Sequence, residues 1–141
     1  MYIGQSIIAF GSELVSVREA KAAALARRCI DPQQTEQWRS VAEAVLPLLP
    51  EDPSPKVRNA MADVLSTSAI SPLHIVIALA ADQPEVAGYI LARSPLLSDA
   101  DLVDRVAFGA LIVQLLVAAR SHVSLAVAAA MVEVATAGRG G

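Results

Sequence analysis

The chain carries a single cysteine, Cys29, in 141 residues. No internal disulfide can form, a disulfide-stapled scaffold is excluded, and the compartment reads as the reducing cytoplasm. Aromatic residues make up only 4%, which leaves little for base stacking and argues against a conventional β-sandwich. Charged residues are 18% and sum to −3, with a pI near 5.3. No basic footprint therefore points to nucleic acid or an anionic membrane. The first ten residues, MYIGQSIIAF, contain no Lys or Arg, so no secretory signal is read there. The longest apolar run, the 14 residues from Val106 to Ala119, is bounded by Arg105 and Arg120 and interrupted by Gln114. As a helix it spans about 21 Å against roughly 30 Å of hydrocarbon, so it reads as a buried helix rather than a membrane segment.

What is abundant is helix-forming and apolar. Hydrophobic residues reach 55%, and about a fifth of the chain is alanine, so disorder is excluded and helix is favoured throughout. Helix start signals recur at near-equal intervals. Ser71, Ser98 and Ser124 each follow an aliphatic residue and stand 27 and 26 residues apart. Each suits an N-cap, with Pro72 at the first helical position after Ser71, and Ser98 with Asp101 forming an approximate capping box. Ile70 and Leu97 are placed to staple against Ile75 and Leu102. A second, interleaved set begins at Ser54-Pro55 and Gln83-Pro84, and LIVQLLVAAR (Leu111–Arg120) aligns without a gap on PEVAGYILAR (Pro84–Arg93). In that alignment Val57 and Met61 correspond to Val86 and Ile90. Two short antiparallel helices per roughly 27 residues mark a stacked helical repeat.

Upstream, Asp31-Pro32 reads as a cap and first-turn proline for a helix with the apolar stripe Trp38, Val41, Ala42, Val45, Leu48 and Leu49, which Pro47 should kink or end. Ser12 reads as a cap for the preceding helix. Eight helices are expected, near 12–28, 33–49, 54–66, 72–81, 84–93, 99–107, 110–120 and 125–137. Residues 1–137 then form one domain, with an N-terminal capping region over 1–30, repeats over 31–137, and a flexible tail over 138–141.

The stretch VLPLLPEDPSPKVRNAMADVL (Val45–Leu65) resembles a HEAT repeat, with an Asp-Pro turn at Asp52-Pro53 and Val57-Arg58 opening the second helix. The resemblance implies a right-handed stack of antiparallel helix pairs, an all-α solenoid. It also implies a hydrogen-bond ladder built from the turn aspartate and the arginine six residues later, here Asp52 and Arg58. The next unit departs from this pattern, because Gly88 stands six residues after Asp82, so local capping by each aspartate is expected instead of a continuous ladder. The segment ALAADQPEVAGYILARSPLLSDADLV (Ala78–Val103) is similar to a bacterial helical-repeat family classed as a domain of unknown function, over roughly residues 40–137. That resemblance implies a fold and carries no catalytic residues.

Chemistry-bearing residues are few. His74 reads as a partly buried side chain near a helix end and His122 as a loop residue, neither with a Cys, His or carboxylate at metal spacing. Cys29 follows Arg27-Arg28, yet it has no base or second cysteine beside it and reads as a small apolar side chain. Asp99, Asp101 and Asp104 read as helix-start charges rather than a metal site. No glycine-rich phosphate loop or nucleophile elbow is present. Neither a cofactor nor a metal is expected. Arg18, Lys21, Arg27 and Arg28 come nearest to a basic patch, diluted by Glu13 and Glu19.

Only Arg120 and Glu133 are charged between Val106 and Ala137, although a terminal repeat needs a polar outer face. Either the last helix is buried within its own subunit, or a second copy or downstream domain covers it; Val127, Ala130, Met131 and Val134 are the candidate self-association residues. The expected role is a non-enzymatic protein-interaction scaffold or regulatory adaptor with a protein partner, possible as a homodimer, with Lys56, Arg58, Asn59 and Asp63 as candidate contacts. The alternatives are a nucleic-acid-binding HEAT-like domain and an enzyme whose site is assembled from distant residues.

Overall fold

The computed structural model describes residues 14–140, and the cap expected at Ser12 lies outside them. Eight α-helices and one 3₁₀ segment make up the regular structure, with no strand among the described residues. In chain order they are α1 (Val15–Cys29), α2 (Glu36–Val45), the 3₁₀ segment (Leu46–Glu51), α3 (Pro55–Leu65), α4 (Leu73–Ala80), α5 (Pro84–Arg93), α6 (Asp99–Phe108), α7 (Leu111–Ala118) and α8 (Leu125–Gly140). The prolines act as punctuation. Pro55 and Pro84 occupy first-turn positions, where a missing N–H is harmless, and Pro47 ends α2 in a tighter 3₁₀ turn.

The caps follow their local chemistry, with two departures from expectation. Ser98 and Asp101 form a complete capping box, with Asp101 N–H donating to Ser98 Oγ at 3.1 Å and Ser98 N–H to Asp101 Oδ2 at 3.0 Å. Val127 N–H donates to Ser124 Oγ at 3.3 Å. Ser71 does not cap α4. Its hydroxyl turns back to donate to the Leu65 carbonyl at 2.9 Å, and Pro72 takes the cap position. A buried hydroxyl beside the unpaired carbonyls of the preceding helix satisfies those instead. Ile70 is correspondingly 56% exposed rather than stapled, while Leu97 and Leu102 are both buried. Asp31-Pro32 forms a turn, and α2 starts later, at Thr35, whose hydroxyl accepts from Trp38 N–H at 3.3 Å. α8 runs on to Gly140, beyond the helix end expected near 137, and no described glycine adopts the positive φ of a left-handed stop.

The core is one aliphatic cluster. Val57, Met61, Val86 and Ile90, matched in the sequence alignment, are all fully buried, and Val117 takes the corresponding place in α7. The helices pack in alternation: α1 against α3, α3 against α5, α5 against α7, and α6 against α8, while α4 lies on α5, on α3 and on the 3₁₀ segment. Ala22 and Ala26 line the buried side of α1. Gly88 does the same for α5, where a β-carbon would stand 3.3 Å from Leu116 Cδ2 of α7. The stripe expected on α2 is only partly buried: Ala42 and Leu49 reach the core and Val45 is half-buried, but Trp38, Val41 and Leu48 face solvent, and Leu46, outside that stripe, is buried instead. The 3₁₀ turn resets the angular spacing after Val45, so one straight helical stripe cannot continue.

Candidate interaction surface

Charged side chains tie the first five helices together at two points. Arg18 of α1 donates through Nε and Nη2 to the two oxygens of Asp52, at 3.0 and 3.2 Å, with both side chains buried. Arg58 of α3 makes the same forked contact with Asp82, at 2.7 and 3.3 Å, and also donates to the Asp52 carbonyl. Such bidentate contacts fix geometry as well as charge. Each aspartate caps locally too, Asp52 Oδ1 accepting from Ser54 N–H and Asp82 Oδ1 from Gln83 N–H. Local capping alone was therefore too little to expect: each arginine reaches the aspartate of the following turn, and both arrangements coexist. The series stops at α5, where Gly88 replaces the arginine. Beyond it Arg120 donates to the carbonyls of Leu91 and Ser94, closing the end of α5 from the end of α7. Desolvation lowers the Arg120 pKa from its ordinary value.

These contacts redistribute the residues considered for binding. Arg58 is a structural link, mostly buried in its ion pair. Lys56 and Asp63 are exposed, with Asp63 paired to Arg93 of α5 at 3.1 Å, and Asn59 is half-buried with its Oδ1 unpartnered. In α8, Val127 and Ala130 are buried, and Met131 and Val134 pack against the core. The four self-association candidates therefore face inward, and α8 turns Leu125 and Val132 outward. Alternating alanine and aliphatic residues gave no contrast by which sequence alone could choose the inner side. Within the basic patch, Arg18 is spent on Asp52, and Arg28 lies over the Trp38 ring at 4.6 Å.

Large exposed apolar side chains have a definite distribution. α3 and α5 present none, whereas α2 carries Trp38 and Val41, the 3₁₀ segment Leu48, α4 Leu73 and Ile77, and α6 Phe108 at 89% exposure. α7 adds Leu111, Ile112 and Leu115. Between α4 and α6, which make hardly any direct contact, lies an open groove of about 290 Å³ lined by Ile77, Ala80, Leu97, Asp101, Asp104, Arg105 and Phe108. Sequence reasoning missed Phe108 and Ile77; an aromatic residue closing a helix just before Gly109 was the available signal.

Neither histidine nor the thiol forms a reactive constellation. His74 and His122 are both exposed, so the partly buried place expected for His74 is not observed. The His74 side of α4 borders a pocket of only about 80 Å³ shared with Cys29, Gln34 and Glu43. Burial, and then the Glu43 carboxylate, push the Cys29 thiol pKa up, opposite to what an activated nucleophile needs. Among the described residues no three His, Cys, Asp or Glu side chains cluster to hold a metal, and no helix is long and apolar enough to cross a membrane.

A family model described as an uncharacterised protein conserved in bacteria (DUF2336) matches residues 86–138, from within α5 into α8. The match is narrower than the region over which the sequence resemblance is drawn. No curated protein and no solved structure shows a significant match to the chain.

Proposed function

We propose that this chain is a non-enzymatic protein-interaction scaffold or regulatory adaptor, built as a HEAT-like right-handed solenoid of antiparallel helix pairs. The observation that carries the reading is the recurrent rung, Arg18 to Asp52 and then Arg58 to Asp82, in register with the packing of α1 on α3 and α3 on α5. A stack held by repeated inter-unit bonds presents a rigid surface on which a partner can dock without ordering the scaffold first. The raised thiol pKa and the exposed histidines support a binding role over a catalytic one. Nucleic-acid binding is disfavoured by the negative charge and by the loss of Arg18 from the basic patch. The cytoplasm is the compartment that fits a lone, half-buried thiol. Affinity capture of the full chain from its native cell, followed by rebinding of each recovered protein in purified form, tests the role. A partner that rebinds supports it, and repeated captures without one overturn it.

A second reading concerns self-association. Leu111, Ile112 and Leu115 leave the outward side of α7 apolar, with α5 packed on its other side. A second copy meeting this face through a two-fold axis would cover it. Size-exclusion with light scattering decides: a dimer that Leu115→Lys dissociates supports the reading, and a strict monomer at high concentration removes it.

A further inference from the structure

The exposed apolar residues of the α2–α4–α6 set coincide with an uneven distribution of charge. α2, the 3₁₀ segment, α4 and α6 together hold six carboxylates (Glu36, Glu43, Glu51, Asp99, Asp101 and Asp104) against two arginines, Arg39 and Arg105. α3 and α5 hold three cations against two carboxylates, and α1 holds four cations against one. The six carboxylates stand on α2, the 3₁₀ segment and α6, which also present Val41, Leu48 and Phe108, while α4 between them is uncharged apart from His74 and presents Leu73 and Ile77. Opposite requirements are met on α3 and α5, where polar groups are exposed and the larger apolar ones are buried.

We infer that the groove between α4 and α6 docks an amphipathic helix of a protein partner, with an apolar stripe flanked by lysine or arginine. The inference rests on the scaffold reading and adds a surface and a partner chemistry to it. The floor is apolar, from Ile77, Ala80 and Leu97, and Phe108 stands at its side almost wholly in water. Covering such a side chain is the main source of affinity for a helix laid in a groove. Asp104 is exposed on the same lining and Asp101 stands a turn before it, with Arg105 as the single facing cation. The excess of carboxylate sets the sign of the flanking charges a partner must bring, and repels an acidic helix.

The probes are two designed 20-residue amphipathic peptides with the same leucine stripe, one with lysine and one with glutamate on its flanks. Fluorescence anisotropy with the full chain is expected to show the lysine peptide binding at least tenfold more tightly than the glutamate peptide, with affinity falling as salt rises. Phe108→Ser and Ile77→Ser should each weaken the lysine peptide about tenfold, and Asp104→Lys should narrow the preference between the peptides. Glu85→Gln, at an exposed position of α5 away from the groove, should change nothing. Unaltered melting curves establish that the variants are folded, and amide shift changes confined to α4 and α6 locate the peptide. Equal binding of both peptides, indifference to Phe108→Ser, or shifts centred on α7 and α8 overturn the assignment. A dimer that Phe108→Ser dissociates, with no peptide bound, gives the groove to a second copy. A captured partner that rebinds equally well to Phe108→Ser leaves the scaffold reading standing and removes only the groove.

Discussion

The segment from α1 to α5 and the segment from α6 to α8 solve the same packing problem with different chemistry. In the first, a buried and a half-buried guanidinium–carboxylate fork bridge successive turns, and small residues let α1 approach α3. In the second no such fork continues. Gly88 accommodates Leu116, Arg120 closes backbone carbonyls, and apolar side chains of α7 remain in water. Directional bonds fix the register of the first part. Shape fixes the second, which leaves Leu111, Ile112 and Leu115 exposed.

The largest expected effect that sharpens this contrast is at Asp52. Asp52→Ala removes the forked carboxylate from the buried Arg18 and should cost about 3–5 kcal/mol, measured by urea unfolding. Combining it with Arg18→Met should recover most of the loss, because the buried charge is then gone as well. Removing Asp63 from its exposed pair with Arg93 should by contrast cost no more than about 1 kcal/mol. Equal losses at Asp52 and Asp63 would break the distinction between a buried fork and a surface pair.

On the other side of the comparison, Gly88→Leu should destabilise by roughly 1–3 kcal/mol, since Leu116 already occupies the space beyond the β-carbon. Gly88→Ala should be nearly neutral: the gain in helix propensity, about 1 kcal/mol, offsets a small shift of the flexible Leu116 end. Leu115→Ser, at a side chain 57% exposed, should change stability by no more than about 0.5 kcal/mol. The smallest effect is a displaced pH profile. Alkylation of Cys29 should rise at higher pH than that of a free peptide thiol, and Glu43→Gln should move the profile back down. Since the folded pKa is raised, the associated stabilisation is complete below the ordinary thiol pKa and is lost as pH climbs through the folded value.

How much of this was legible follows the range of each interaction. Pro55, Pro84 and the Ser98–Asp101 box name their helix starts because a cap involves only neighbours within one turn. The spacing of Asp52 and Arg58 suggested a ladder, yet the fork of Asp52 comes from Arg18, 34 residues earlier. No local spacing encodes that partner. The inner side of α8 was unreadable for another reason: nearly every position is small or aliphatic, so periodicity carries no direction there. The α4–α6 groove was likewise hidden, because an exposed Phe108 and a buried one look alike in a one-dimensional pattern.

By itself the sequence determined that the chain is helical, where most helices begin, and which aliphatic positions of α3 and α5 are inside, because capping and amphipathic spacing act within a few residues. Only the tertiary structure decided which arginine meets which aspartate, which side of α8 is covered, and that α4 and α6 part to leave an acidic, apolar groove. Those outcomes depend on how far apart whole helices lie, and that distance is set by packing between segments many residues removed from one another.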